Sequence, residues 1–399
     1  MNIESPLKDG APVSFELGED YPELRDAARK ICAKYPGEYW RDLEERSAYP
    51  TEMVRDLTEG GYLAALIPEE YGGGGLPIRA AAAILEEINI AGCTATQCHA
   101  QMYIMGTLLR HGNAEQKQKY LPKIASGELR LQAFGVTEPT TGSDTTQLKT
   151  RAVRTNEGYI VNGQKVWISR AAHSDLMLLL ARTTPPDQVK RRTDGVSVFL
   201  VDMREAKKNG MEIRPIDAMV NHNTTEIFFS NVPIPASSLI GEEGLGFRYI
   251  LDGMNAERCL VSTEAIGNAW YFFDKLVAYT RENGIAGHAA GSAGALNLAI
   301  ARLYAQIRSA DLMVRKATAM FDAKLPCGAE ANMGKYLSGE AVWAASNLCF
   351  TAFGIDALDP LMDVERKWRD TRMSRNSPVS PNMIKNFIGQ HVLNLPRSY

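Results

Sequence analysis

Phe134-Gly-Val-Thr-Glu-Pro-Thr-Thr-Gly-Ser-Asp144, followed by Lys165-Val-Trp-Ile-Ser169, is the stretch whose reading decides the fold of this chain. The first segment combines small hydroxyl side chains with a Gly-rich turn, which brings backbone N–H groups within reach of a phosphate or a carbonyl. The second sets Trp167 in a strand-like run, with the Ser169 hydroxyl two residues on and so expected on the same face. A flat ring beside a hydroxyl suits an aromatic cofactor.

On both sides of Trp167, residues 132–240 carry short β-branched and aromatic runs separated by turn signals. These are Gly158-Tyr-Ile-Val-Asn-Gly163, Leu176-Met-Leu-Leu-Leu-Ala181, Val196-Ser-Val-Phe-Leu-Val201 and Glu226-Ile-Phe-Phe229. The Asn162-Gly163 pair between apolar residues predicts a hairpin turn. The region is expected to be a small, mostly antiparallel β domain. Residues 20–130 have helical spacing instead, as in Tyr21-Pro-Glu-Leu-Arg-Asp-Ala-Ala-Arg-Lys-Ile-Cys32, broken by the loop Ile67-Pro-Glu-Glu-Tyr-Gly-Gly-Gly-Gly75. From Gly244 the helical pattern returns over 249–283, 295–324 and 329–353. The expected boundaries are 1–131, 132–240 and 241–399. An order of helices, strands, then helices excludes a dinucleotide fold, in which strands alternate with helices.

The bulk properties exclude other classes. The 399 residues carry a net charge of −3 and 23% charged side chains, which makes no electrostatic case for nucleic acid or an anionic membrane. No uninterrupted apolar run approaches the roughly 18–20 residues that span a bilayer. The six cysteines form no Cys-x-x-Cys pair, and Cys93 and Cys98 with His99 lack zinc spacing, so no metal is expected. Residues 1–20 are polar and acidic, unlike a targeting segment, and Arg397-Ser-Tyr399 is no peroxisomal ending. Free thiols and this composition lead to a cytoplasmic expectation.

In order and spacing, the opening segments resemble the flavin-binding segments of the acyl-CoA dehydrogenase family. The likeness extends along nearly the whole chain. It includes Ile67–Gly73, the run Glu115-Gln-Lys-Gln-Lys-Tyr-Leu-Pro-Lys-Ile-Ala-Ser-Gly127, Thr225–Phe229, Gly241-Glu-Glu-Gly-Leu-Gly-Phe247, Ala256-Glu-Arg258 and Gly267. The resemblance implies an N-terminal helical domain, a central β domain and a C-terminal four-helix bundle, in a homotetramer or homodimer. It implies FAD as cofactor and an acyl thioester, on CoA or a carrier protein, as substrate; it does not specify the electron acceptor. Phe134, Val136, Thr137, Gly142 and Ser143 would contact the flavin, Trp167 and Ser169 would flank its ring, and Ser143 and Arg258 would serve the substrate. The alternatives for Trp167 and for Ser143-Asp144 are a core aromatic and a simple turn or helix cap.

The pattern also breaks. Desaturating a thioester requires a base at the α-carbon, a role suited to a carboxylate in an apolar pocket, and donors for the thioester oxygen. The family's commonest catalytic Glu, counted from Val364-Glu-Arg-Lys-Trp-Arg-Asp370, falls on Pro378, which is no acid and has no N–H. Val379 could stand in as the donor. Isovaleryl-type members place the base just before the Arg at a helix start, and this chain has Glu257-Arg258 there. Glu257 is therefore the expected base, with Glu264, two turns on, as the lesser candidate. On the side that grips the ADP half of the cofactor, Arg281 survives. It is followed by the Gly/Ala-rich residues 284–295, with His288 expected exposed, and the Phe-Gly-Gly segment has become Phe353-Gly-Ile-Asp356. Two competing readings follow from these losses: redox-neutral or FAD-independent thioester chemistry on the same fold, and a non-catalytic binding or oligomer-forming subunit.

Overall fold

The computed structural model describes residues 17–283, 292–376 and 379–396. His288, Pro378 and Arg397–Tyr399, on which expectations were placed, lie outside them. Packing groups the chain into two compact units: unit 1 is Met1–Arg29, Pro77–Gly92 and Asn255–Tyr399; unit 2 is Lys30–Leu76 and Cys93–Met254.

Unit 2 holds α2 (Gly37–Glu45), α3 (Thr51–Glu59), α5 (Thr96–His111), α6 (Ala114–Ala125) and α7 (Met203–Lys208). Its strands are β1 (Leu131–Gly135), β2 (Arg151–Arg154), β3 (Gly158–Ser169), β4 (Leu176–Arg182), β5 (Val196–Asp202), β6 (Met211–Pro215), β7 (Thr224–Pro235) and β8 (Leu239–Ile240). They form one sheet in the order β6-β7-β3-β2-β4-β5-β8, with β1 parallel to β4. The pairing is otherwise antiparallel except for one parallel β2–β4 bridge. β4 is buried along its whole length. Its alternation explains why: Leu176, Leu178 and Leu180 pack with α5 and α6, while Met177, Leu179 and Ala181 join Phe199, Ile227 and Phe229.

Asn162-Gly163 is not a hairpin turn. The β2–β3 connection is made by residues 155–157, closed by the Thr155 N–H donating to the Gly158 carbonyl at 2.8 Å. Asn162-Gly163 instead runs through the middle of β3 opposite a bulge in β7, where β7 carries one extra residue between Val232 and Phe229 and Asn231 is left-handed with φ at +55°. The Asn162 carboxamide exchanges hydrogen bonds with Asn231 across the bulge, 3.1 and 2.9 Å. At Gly163 φ is +150°, and a Cβ would sit 2.6 Å from the Thr150 Cα, so only glycine fits. Two-sided strand pairing overrides the local turn preference.

Unit 1 is helical: α1 (Pro22–Cys32, through Arg29), α4 (Ile78–Ile90), α8 (Gly246–Asn283, from Asn255), α9 (Ser292–Asp322), α10 (Gly328–Phe353), α11 (Glu365–Asp370), α12 (Arg372–Asn376) and α13 (Pro381–Phe387). Its core joins Ile266 and Phe272 of α8, Ile307 and Val314 of α9, and Val342 and Phe353 of α10. α4 lies against α8 because Gly267 lets the backbones meet; a Cβ there would be 2.4 Å from the Glu86 carbonyl oxygen. The N-terminus of α4 has no cap of its own after Pro77, and the Asp322 carboxylate supplies one, accepting the Ile78 and Arg79 N–H at 2.8 and 3.0 Å. Gly328–Leu358 is by length and composition apolar enough to cross a membrane. A search for uninterrupted runs misses it because Glu330, Lys335 and Glu340 break the run; in the fold its Val342, Ala345 and Cys349 belong to the helical core.

The buried Arg366 guanidinium grips Asp363 at 2.6 and 2.8 Å, and the Tyr271 hydroxyl donates to the same carboxylate at 3.0 Å. Burial pushes the Asp363 carboxyl up, but these bonds and the Arg366 charge outweigh it and hold it below its ordinary value. A depressed carboxyl contributes stability above its unfolded pKa, about 3.9, and loses it as pH falls through the lower folded value. Asp363→Asn is therefore expected to cost about 3 kcal/mol at pH 7, by leaving Arg366 buried without its counter-charge. The gap should narrow below about pH 4 as the wild-type carboxyl protonates. Denaturant melts at pH 7 and pH 3 check this, and an equal gap at both would refute it.

Candidate functional site

In unit 2 the site grows from the end of β1. Phe134, Val136 and Thr137 are half-buried, while Gly142, Ser143 and Asp144 are exposed on the following turn. Reciprocal backbone hydrogen bonds between Glu138 and Thr141 tighten that turn. Asp144 caps the short helix Thr145–Gln147, accepting the Thr146 N–H at 3.2 Å. Hydrogen bonds from Gln147 and then Thr146 hold its carboxyl below the ordinary value. Asp144 is thus a cap, while the hydroxyl of Ser143 stays at the surface. From the other side the Arg182 guanidinium donates to the Thr146 and Arg192 carbonyls at 2.8 and 3.1 Å, clamping two loops together.

Beneath the turn lies a pair that the motif reading overlooked. The Lys165 and Glu138 side chains are 0% and 4% exposed and 2.8 Å apart. Lys165 Nζ also donates to the Val136 carbonyl at 3.0 Å, and Glu138 accepts the Lys149 and Thr150 N–H at 2.6 and 2.9 Å. Burial pushes the Lys165 ammonium down to about 8 against the pull of Glu138. Burial raises Glu138, but the charge and hydrogen bond of Lys165 and the two backbone donors outweigh it. Both groups are therefore ionised at neutral pH. A signal was present in the sequence: Lys165 keeps step with buried Val161 in β3, so strand alternation aims it inward.

Trp167 is not a core aromatic; it is 59% exposed, with φ at +61°. Strict alternation fails here. Lys165 and Ile168, three residues apart, are both buried, and the register with β7 shifts between them. The left-handed Trp167 absorbs the extra residue and carries its indole outward, with half-buried Ser169 paired to Thr224. Such a conformation costs a bulky residue on the order of 1–3 kcal/mol and persists only where its neighbours hold it. Here the Val166 N–H donates to the Thr137 carbonyl at 3.0 Å, and the Thr225 hydroxyl to the Ile168 carbonyl at 2.8 Å. Thr137 is thereby brought beside the Trp167 strand. An exposed indole on a strand tied to Thr137 and followed by half-buried Ser169 fits the ring half of a flavin.

In unit 1, Glu257 is 8% exposed on α8 and Glu264, two turns on, is also buried. Two positive side chains, Arg258 and Lys335, act electrostatically on Glu257. Arg258 follows it, donating to Asn255 Oδ1 at 3.3 Å, its Nε buried without a hydrogen bond. Burial pushes the Arg258 guanidinium down, with Glu257 pulling it back. Lys335 of α10 is 1% exposed and donates to the Ser374 carbonyl at 2.7 Å. Burial drives it down to about 8, opposed chiefly by the Glu257 charge. Lys335 lies on the inward stripe of α10 with Ala331, Ser338 and Val342, a position that marks a functional or structural lysine. Arg281 is exposed in the last turn of α8. In the Phe353–Asp356 segment Phe353 is buried and stacks on Tyr279 at 4.0 Å, the Tyr279 hydroxyl donates to Asp356 at 2.8 Å, and Ile355 is exposed. Val379 is half-buried just before Ser380, which caps α13.

Three family models match in sequence along the chain: the N-terminal, middle and C-terminal domains of acyl-CoA dehydrogenase, over residues 18–128, 133–232 and 244–391. The chain belongs to the acyl-CoA dehydrogenase family. By family it is an oxidoreductase of the acyl-CoA dehydrogenase type. It is 29% identical to acyl-CoA dehydrogenase FadE12 of Mycobacterium tuberculosis, over 97% of this chain and 99% of the relative. It is 30% identical to cyclohex-1-ene-1-carbonyl-CoA dehydrogenase of Syntrophus aciditrophicus, over 90% and 86%. The solved glutaryl-coenzyme A dehydrogenase in complex with glutaryl-CoA superposes with a TM-score of 0.87 at 27% identity, over 96% of this chain and 98% of that one.

An indole so exposed has a testable signature. Among the five tryptophans, Trp167 should contribute the most red-shifted emission, so Trp167→Phe should shift the apo spectrum to the blue. Stability should change by no more than about 0.5 kcal/mol, as at other exposed positions. Steady-state fluorescence and a thermal melt read both; an unshifted spectrum or a large loss of stability would place Trp167 in the core.

Proposed function

We propose that this enzyme is a flavin-dependent acyl thioester dehydrogenase that binds FAD and abstracts an α-proton with Glu257. The observation that carries the reading is Trp167, held exposed on a strained bulge beside Thr137 and Ser169. Phe134, Val136, Thr137, Gly142, Ser143, Trp167 and Ser169 would hold the isoalloxazine ring, and Arg281 would serve the ADP half. FAD, when bound, supplies the acceptor for the β-hydrogen. The substrate class comes from the family, whose relatives above are named for acyl-CoA thioesters.

Glu257 must be anionic to take a proton, and the neighbouring positive charges of Lys335 and Arg258 favour that form. Their own pKa values are lowered because they share the buried site. Lys335 also ties α10 to the Ser374 carbonyl, close in sequence to the Pro378 segment where the family keeps its usual base. A second reading, redox-neutral thioester chemistry, is favoured by Pro378 and by the altered segment after Arg281. A purified protein with no flavin absorption band, and none after reconstitution with FAD, would select it.

Glu257→Gln is expected to lower both α-proton exchange and α,β-desaturation of an accepted acyl-CoA by about 10²–10⁴-fold, the usual contribution of a positioned base. FAD content should be unchanged. Deuterium exchange by mass spectrometry and the flavin-bleaching assay measure these, and undiminished exchange removes Glu257 from the role.

A further inference from the structure

We propose that the buried Glu138–Lys165 pair is the positioning element of the ring site: it locks the loop from Val136 to Thr150 onto β3 and so holds Trp167 in its exposed, left-handed conformation. This rests on the reading that a flavin ring lies against Trp167, and adds residues that would touch neither cofactor nor substrate.

The pair's bonds reach three places at once. Lys165 Nζ takes the Val136 carbonyl, at the end of β1 where the loop begins, and Glu138 Oε1 takes the same ammonium. The Glu138 oxygens then take the N–H groups of Lys149 and Thr150, where the loop ends. Lys165 itself belongs to β3, two residues before Trp167. The loop that carries Ser143 is therefore pinned at both ends to the strand that carries the indole.

Stability alone does not explain the arrangement. Buried ion pairs are commonly replaced by apolar residues without loss. An apolar pair here, however, would strip the Val136 carbonyl and the Lys149 and Thr150 N–H groups of their partners. The geometry points to order in this loop as what the pair contributes. With the lock removed, the bulge is free to relax, and any ring that binds must first restore the strained Trp167.

The test uses lumiflavin, which has the ring and no ADP half, with the full-length apoprotein. Glu138→Gln/Lys165→Met should keep the far-UV circular dichroism spectrum of the wild type. It should bind lumiflavin at least about tenfold more weakly, the equivalent of 1.4 kcal/mol. Amide hydrogen exchange should quicken over residues 136–150 and not in the helices of unit 1, a pattern that a general loss of stability would not produce. A folded double variant that binds lumiflavin within tenfold of wild type, or shows no local change in exchange, overturns the proposal. If the double variant does not fold, Glu138→Asp, which keeps the charge beside Lys165 and shortens the reach to the Lys149 and Thr150 N–H groups, is read by the same two criteria. A wild-type protein that binds neither lumiflavin nor FAD overturns the ring-site reading itself, a result distinct from failure of the lock.

Discussion

The ammonium of Lys165 is out of reach of water, so the chain has to bring oxygen to it, and the β domain around the candidate site is arranged by that demand. The Val136 carbonyl and the Glu138 carboxylate supply the oxygens. Glu138, made anionic, then draws in the Lys149 and Thr150 N–H groups. One buried charge thus organises three chain segments. Removing either partner would leave the other charged in the interior, at a cost of about 3–5 kcal/mol, so the arrangement is close to all-or-none. Trp167 is supported by the same network: its left-handed backbone is bounded by Lys165 on one side and by the Thr225–Ile168 hydrogen bond on the other.

The helical unit uses charge in the same way, to fix where elements lie. Asp322 caps α4 from α9, and Asp20 accepts Arg25, Arg79 and Arg315, which joins the chain before α1 to α4 and α9. Gly267 permits the close approach of α4 and α8 that leaves no room for a side chain. Around Glu257 the same habit gives the carboxylate positive neighbours, Arg258 and Lys335. Positive neighbours favour the ionised form of a carboxylate and moderate its basicity. Enzymes with a lone carboxylate in an apolar site meet the opposite balance, a strong base that is hard to ionise.

Much of this was legible along the chain. Helical spacing located α1 and α8 to α10 to within a few residues, because an amphipathic stripe is a local property of side-chain order. The runs at 176–181 and 196–201 were strands for the same reason. The Asn162-Gly163 turn failed because a dipeptide preference worth little was set against pairing on both edges of β3. The left-handed backbone of Trp167 was not legible, because it follows from one extra residue in β3 opposite β7, and nothing local announces such a bulge. The allegiance of α4 with the helices after Asn255 was equally silent, since it depends on Gly267 and Asp322, each more than 170 residues away.

By itself the sequence determined the class of the molecule: helices, a β domain, helices again, the family, and the residue types offered to a flat ring and to a thioester. Those follow from periodicity and from the order of short segments, which survive without knowledge of contacts. Only the tertiary structure decided which of these residues are presented and which are locked. Trp167 and Ser143 face outward, Lys165 and Glu138 are sealed beneath them, and Glu257 lies within the field of Lys335. The physical reason is that burial and the pairing of charge are set by groups distant in sequence, and a side chain's role changes with whether water can reach it.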